Sequence, residues 1–218
     1  MVTTTKKPVP KHTLKMPKAK VLDLKDPIAI AELKNRHKAY MLRTCGLDMS
    51  AYGGFVWPKY GPVSCPDWDP GKHCGNGLHG LLWGAGYATL LNWEPEAHWL
   101  VVGIDEWVEI DGKVKAPSAD VVYCGDLRGA ADLLVSLGAE AGKCVGSAAT
   151  AGTRGTATAG DAGTATAGDA GCNSIQYWDS KRERYCARIG YIGEDGLEAK
   201  VLYHMEGDKF VPAKKEND

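Results

Sequence analysis

An eight-residue repeat in the second half of the chain restricts the fold more than any other feature of the sequence. The octad Gly155–Ala162 (GTATAGDA) recurs without change as Gly163–Ala170. Ser147–Arg154 (SAATAGTR) is a looser copy, and Gly171–Trp178 (GCNSIQYW) keeps the same phase. Identical copies at a short, fixed period are typical of solenoids, in which each repeat packs on its neighbours. The repeat therefore predicts a short octapeptide-repeat β-solenoid over residues 142–178.

The alternation within each octad predicts which side chains face the interior of the solenoid. Thr-Ala-Thr-Ala follows the two-residue period of a β-strand, so one face carries threonine and the other alanine. Gly-Asp-Ala-Gly supplies the turn. We expect the alanines inside, where they permit close sheet packing, and inward threonines are the alternative. About two coils bury too little surface to be stable alone, so the flanking domain, the C-terminal strands or another chain must cap them.

The segments around the repeat differ from it and from each other, which predicts an α+β chain in four parts. Residues 1–26 hold seven lysines and three prolines, a composition typical of a disordered basic tail. Residues 27–141 alternate helix-like and strand-like stretches, as in a mixed α/β domain rich in tryptophan. Residues 179–218 contain C-terminal β-hairpins that cap the solenoid. The predicted hairpin strands are 175–178 with 184–189, and 200–205 with 209–211.

The mixed α/β domain shows several starts and stops of secondary structure. Asp26-Pro27 and Asp126 are typical of helix N-termini, and Gly138 of a helix C-terminus. We predict helices over 28–38, 81–93 and 126–137, and buried strands over 39–44, 99–104 and 121–124. Glycines at 84 and 86 weaken the second helix. Residues 45–80 are rich in glycine and proline and predict a long structured loop.

Tryptophan and histidine are concentrated in the first domain. Six of the seven tryptophans and three of the six histidines lie between residues 57 and 107. The functional interpretation is a pocket that stacks a small flat, nucleotide-like ligand, and the structural alternative is a tryptophan-rich core. In the string Cys74–Gly80 (CGNGLHG), three glycines permit close approach of a ligand to the backbone. The candidate ligand-binding residues are Trp57, Trp68, Asn76, His79, Trp83 and Trp93.

Metal and cofactor chemistry have weak support in the sequence. Cys65, His73, Cys74 and His79 are zinc-ligand types, but their spacing matches no common closed site. The chain contains no P-loop, GxGxxG, HExxH or GxSxG string. We therefore expect no metal and no cofactor, and we leave the catalytic residues unassigned. For His79, a role as general acid or base stands beside a structural one.

Charge and cysteine usage predict the compartment and the kind of partner. The seven cysteines are odd in number and form no CxxC pair, and no apolar core follows the N-terminal lysines. These features favour reduced thiols in a cytoplasmic protein without a secretory signal. No apolar run is long enough to cross a membrane. The lysine-rich tail is a possible nucleic-acid arm, but no aromatic residue interleaves its lysines to stack on bases.

Several strings resemble an uncharacterised family of bacterial and phage-encoded proteins. They include Cys74–Gly84 (CGNGLHGLLWG), the GTATAGDA octads and the C-terminal strings Gly193–Gly196 and Gly207–Val211. This resemblance implies no particular reaction. The stretch from Gly77-Leu78-His79 to Tyr87-Ala88 is also similar to part of the ADP-ribosyltransferase-like fold. That likeness implies a nicotinamide pocket beside His79, with Glu106 and Glu109 as catalytic candidates by position only.

These observations support several functions from different classes. We favour a non-enzymatic ligand- or partner-binding protein whose pocket lies in residues 45–110 and whose repeat serves as spacer or assembly surface. Its concrete form is phage-type counter-defence, by sequestering a host nucleotide or blocking a host protein. The alternatives are an ADP-ribosyltransferase-like enzyme using NAD and a structural protein that self-assembles through the solenoid, which includes a homo-oligomer. The Thr-x-Thr array also resembles ice-binding solenoids, an interpretation placed last because the array is short and the cysteines favour a cytoplasm.

Overall fold

The computed structural model describes residues 26–213 with the exception of Gly155. The predicted disordered tail, residues 1–26, therefore lies almost wholly outside the described residues. Within them the chain is a mixed α/β protein, mostly β with two α-helices. No helix among these residues is both long enough and apolar enough to cross a membrane.

Both α-helices begin at the aspartates that the sequence indicates. Helix α1 spans Pro27–Arg36, and the Asp26 carboxylate accepts a hydrogen bond from the Ile28 amide at 2.9 Å. Helix α2 spans Leu127–Leu137, and Asp126 accepts from the Gly129 amide at 2.7 Å. These carboxylates satisfy amides that have no partner within the first turn. The capping pattern thus predicted both helix starts.

Seven strands of the first half form one antiparallel sheet. Its order is β2-β7-β4-β1-β3-β6-β5, and every neighbouring pair is antiparallel. The strands are β1 Ala39–Cys45, β2 Gly61–Ser64, β3 Leu78–Leu82, β4 His98–Ile104, β5 Val108–Ile110, β6 Lys113–Ala116 and β7 Ser118–Gly125. One face of β1 and β4 packs with α2 through Leu42, Val101 and Leu134. The other face buries Met41 and Val102 beside Trp57.

The predicted helix over 81–93 is wrong. Strand β3 ends at Leu82, the backbone turns at Trp83 and Gly84 with φ of 54° and 70°, and a short 3-10 helix follows at Ala88–Leu90. A side chain on Gly84 would lie 2.6 Å from the Cys144 sulfur. Contact with a distant segment therefore fixes this turn, and local helix propensity does not decide it.

The four octads form four strands that alternate between two small sheets. The strands are β8 Ala148–Thr150, β9 Thr156–Ala159, β10 Thr164–Thr166 and β11 Cys172–Asp179. Strand β8 pairs in parallel with β10, and β9 pairs in parallel with β11. Between the sheets lies an apolar cluster of four alanines and Ile175, so the alanines face inward.

Two C-terminal hairpins complete these sheets on one side. Strand β12 (Arg184–Tyr191) pairs antiparallel with β11, and β13 (Tyr203–Glu206) pairs with both β10 and β14 (Lys209–Pro212). The resulting sheets have the orders β9-β11-β12 and β8-β10-β13-β14. Met205 and Phe210 pack against the alanine cluster from the hairpin side.

The repeat also contacts the first half of the chain. The Val145 amide donates to the Gly84 carbonyl at 3.0 Å. Arg128 of α2 donates to the Thr164 hydroxyl at 3.2 Å. Tyr185 of β12 packs against the core around α2. The contacts of Thr164 and Tyr185 join the first half of the chain to both small sheets.

Candidate functional site

A large cavity lies in the first half of the chain, beside strands β1 and β3. Its volume is about 1230 Å³. Strands β1 and β3 form its floor, and the loops around Ser50–Trp57 and Cys74–Gly77 form its walls. Three of the candidate ligand-binding residues, Trp57, Asn76 and His79, line it.

The other three candidate residues lie elsewhere. Trp83 packs edge-on against Tyr40 with ring centroids 5.9 Å apart. Trp93 packs edge-on against Trp99 at 5.2 Å. Trp68 lies beneath the Lys115 ammonium, 5.7 Å from the ring centroid. The structure therefore does not bring all six residues to one pocket, and their role in ligand binding stays a prediction.

Arg43 is a charged residue in the cavity that sequence reasoning missed. Its guanidinium lies over the Trp57 ring at 4.5 Å and donates to the His79 carbonyl at 2.5 Å. Its position inside the apolar strand Ala39–Cys45 was a signal, because a charge rarely interrupts a buried strand without a partner.

Burial, followed by the nearby charges of Lys113, Arg43 and Lys115, lowers the pKa of His79 to about 4. His79 is therefore neutral at pH 7.

The four candidate zinc ligands bind separate partners. Cys65 donates to the Asp67 carboxylate at 3.0 Å, and His73 lies 3.3 Å from Asp69. The Cys74 sulfur accepts from the Lys113 ammonium at 3.0 Å, which lowers the pKa of that thiol. Across residues 26–213, Gly155 apart, no three histidine, cysteine or acidic side chains are grouped to hold a metal ion.

The outer surface of the repeat is a second candidate site. Thr156 and Thr158 on β9 are exposed, while Ala157 and Ala159 between and after them are buried. Directly beside the threonines on β11 lie Cys172 and Ser174. We call these four side chains, Thr156, Thr158, Cys172 and Ser174, the threonine face. Strand geometry spaces them about 6.6 Å along a strand and about 4.8 Å between strands.

The outer surface of the other small sheet, β8-β10-β13-β14, is less open to solvent. The Thr164 hydroxyl is held by Arg128, and the Thr166 hydroxyl oxygen is buried without a hydrogen-bond partner among the described residues. Lys200 borders the shallow depression around Thr150 on this side. The threonine face is therefore the more open of the two threonine arrays.

Comparison with known proteins finds bacterial ice nucleation proteins. An ice nucleation protein of Xanthomonas campestris pv. translucens is 38% identical over 103 residues, which cover 45% of this chain and 7% of that protein. InaU of Pantoea ananas is 39% identical over 92 residues, 40% of this chain and 9% of its own length. A Pseudomonas syringae pv. syringae ice nucleation protein is 40% identical over 96 residues, 42% of this chain and 8% of its own length. No family model matches the chain, and no solved structure is significantly similar to it.

The chain spans less than a tenth of the length of these relatives. The aligned stretches are nevertheless much longer than the octads, since residues 147–178 number only 32. The likeness therefore includes sequence outside the repeat as well as any part of the repeat that it covers.

These relatives correct several predictions. The predicted ligand- or partner-binding function, the phage-type counter-defence and the NAD-dependent ADP-ribosyltransferase are wrong, because the relatives are ice nucleation proteins. The resemblance to an uncharacterised bacterial and phage family is right in that the relatives are bacterial and contain repeats, and it is wrong in that they are neither uncharacterised nor phage proteins. The cytoplasmic location is overturned by the same similarity. An odd number of unpaired cysteines does not by itself decide the compartment.

Proposed function

We propose that this chain orders water into ice at the threonine face. The observation that carries the proposal is the pair of exposed threonines on β9, which lie in register with Cys172 and Ser174 on β11. The similarity to ice nucleation proteins supports it independently of that geometry. Neither observation requires a catalytic group.

The repeat is, in this proposal, a β-solenoid of two coils with 16 residues in each coil. Partners in the parallel pairs are separated by 16 positions, as in Thr164 with Ala148 and Cys172 with Thr156. Each octad then supplies half a coil, and every second octad returns to the same sheet. The solenoid occupies residues 142–178, between the domain 27–141 and the hairpins of 179–218.

Threonine suits a water-ordering surface for two reasons. Its hydroxyl donates and accepts hydrogen bonds, and its β-branched side chain is stiff about χ1. Because the backbone beneath is a hydrogen-bonded sheet, the hydroxyls repeat at fixed intervals. Immobilising one water costs up to about 2 kcal/mol of entropy. A surface that holds several waters at regular positions reduces the entropy that freezing must still remove.

The test substitutes lysine for exposed threonines on the outer faces of the two small sheets and compares the variants. Thr156→Lys with Thr158→Lys disrupts the threonine face, while Thr150→Lys places the same substitution on an exposed threonine of β8. We expect the double variant to lose incorporation into slowly growing ice and to lower the median freezing temperature of droplets toward that of buffer. The Thr150→Lys control keeps both values. Equal behaviour of the wild type and the double variant, with both folded by circular dichroism, contradicts the proposal.

A further inference from the structure

We propose that Ala187, Ile189 and Tyr191 of β12 extend the threonine face, so that the C-terminal hairpin contacts ice together with the repeat. The inference rests on the proposed function and adds a surface outside the octads. It gives the hairpin a role in recognition in addition to its role in covering the end of the sheet.

The hairpin side chains continue the rows of the threonine face. Ile189 lies directly opposite Ser174, and Tyr191 lies directly opposite Cys172. Paired residues on adjacent strands point to the same face of a sheet. Two three-residue rows therefore cross all three strands, and they are Thr156-Cys172-Tyr191 and Thr158-Ser174-Ile189.

The exposed side of β12 is apolar, although it faces solvent. Ile189 is 53% exposed and Tyr191 is 55% exposed. The two arginines of the strand, Arg184 and Arg188, alternate with these residues and lie on the other face. Exposed apolar groups that are contiguous and organised on one face indicate an interaction surface.

Strands β9, β11 and β12 themselves place no charged side chain on this face, although the exposed Glu140–Lys143 ion pair belongs to the segment that packs beside Thr158 through Gly142. The residues that the register assigns to it are Thr156, Thr158, Cys172, Ser174, Gln176, Trp178, Tyr185, Ala187, Ile189 and Tyr191. Trp178 and Tyr185 pack edge-on against each other at 5.1 Å, at the end nearest the first domain. The remaining eight form an uncharged strip in a chain with 24% charged residues. The surface of ice carries no net charge, so an uncharged and regularly spaced strip fits it.

The opposite sheet provides an internal comparison. Its hairpin, β13-β14, places His204, Glu206 and Lys209 on the outer side, because Tyr203 and Phe210 face the alanine cluster. That sheet therefore ends in charged residues where the threonine face continues into Ile189 and Tyr191. A nucleic acid or an acidic partner requires cationic side chains on the surface it meets, and the uncharged strip offers none.

The experiment measures incorporation of the full chain into slowly growing ice for Ile189→Lys, Thr158→Lys and a control, Leu90→Lys. Leu90 is 50% exposed and lies in the first domain, so it matches Ile189 in exposure. We expect both Ile189→Lys and Thr158→Lys to reduce incorporation several-fold, and Leu90→Lys to leave it unchanged. The conservative Ile189→Thr variant keeps the β-branched shape and should retain incorporation. This variant also keeps the test open if Ile189→Lys fails to fold.

Each other outcome decides against a defined claim. Loss in Thr158→Lys with wild-type incorporation in Ile189→Lys overturns the extension and leaves the proposed function standing. Wild-type incorporation in both variants overturns the proposed function as well. A wild-type dimer in light scattering that Ile189→Lys converts to a monomer shows that the strip joins two copies of the chain, and this also overturns the extension.

Discussion

Two isoleucines on neighbouring strands test which side of the repeat faces inward. Ile175 of β11 is fully buried in the alanine cluster, whereas Ile189 of β12 lies on the outer face and is 53% exposed. Ile175→Ala removes three carbons, or about 2.4 kcal/mol at roughly 0.8 kcal/mol per buried carbon, before any cavity is counted. The neighbouring alanines are short and fixed in sheets, so they cannot fill the space. We therefore expect a loss of about 3–5 kcal/mol in the free energy of unfolding.

Ile189→Ala is the matched control and should change that free energy by less than about 1 kcal/mol, as is usual at exposed positions. Urea unfolding followed by far-UV circular dichroism measures both variants. In thermal unfolding, the Ile175→Ala loss corresponds to a fall in Tm of roughly 6–20 °C for a chain of this size. Equal losses in the two variants, or a larger loss for Ile189→Ala, would mean that the alternation runs the other way and that the threonines face inward.

Three further predictions concern the coil period and two side chains of the first domain. Inserting a second copy of Gly155–Ala170 after Ala170 adds one full coil and should preserve cooperative unfolding, whereas inserting one octad places the hairpins on the wrong sheets and should lower Tm by several degrees. His79 is neutral when folded because burial depresses its pKa to about 4, so unfolding free energy should fall as the pH drops from about 6.5 to 4, by at most about 3 kcal/mol. In urea titrations at several pH values, His79→Leu should remove this fall in the unfolding free energy. An unchanged fall contradicts the conclusion that folded His79 is neutral. Lys113→Met should raise the pKa of the Cys74 thiol and slow its alkylation by iodoacetamide at pH 7.5, and equal rates in both proteins would show that Lys113 does not activate it.

Local rules predicted the parts of the fold that local contacts decide. The Asp26 and Asp126 caps place both helix starts, since a carboxylate satisfies free amides within the same turn. The octad repeat predicts four strands, and the Thr-Ala alternation predicts that one of the two residue types faces inward, which in the structure is alanine. Such features depend on residues only a few positions apart.

Distant contacts decided what the sequence did not reveal. The turn at Gly84 is set by Cys144, which lies 60 positions further along the chain. Trp83 and Trp93 look like pocket residues in the sequence, yet Tyr40 and Trp99 hold them in packed aromatic pairs. Arg43 lines the cavity because β1 and β3 are neighbours, a pairing that the sequence did not indicate.

The uncharged strip across β9, β11 and β12 has a consequence for the conditions under which the surface works. Because the strip itself carries no charged side chain, dissolved salt has little to screen there. The arrangement of water above it depends on hydroxyl groups, apolar side chains and the spacing of the strands. Its effect on freezing should therefore be the same in dilute buffer and at physiological ionic strength, once the ordinary depression of the freezing point by the solute is subtracted.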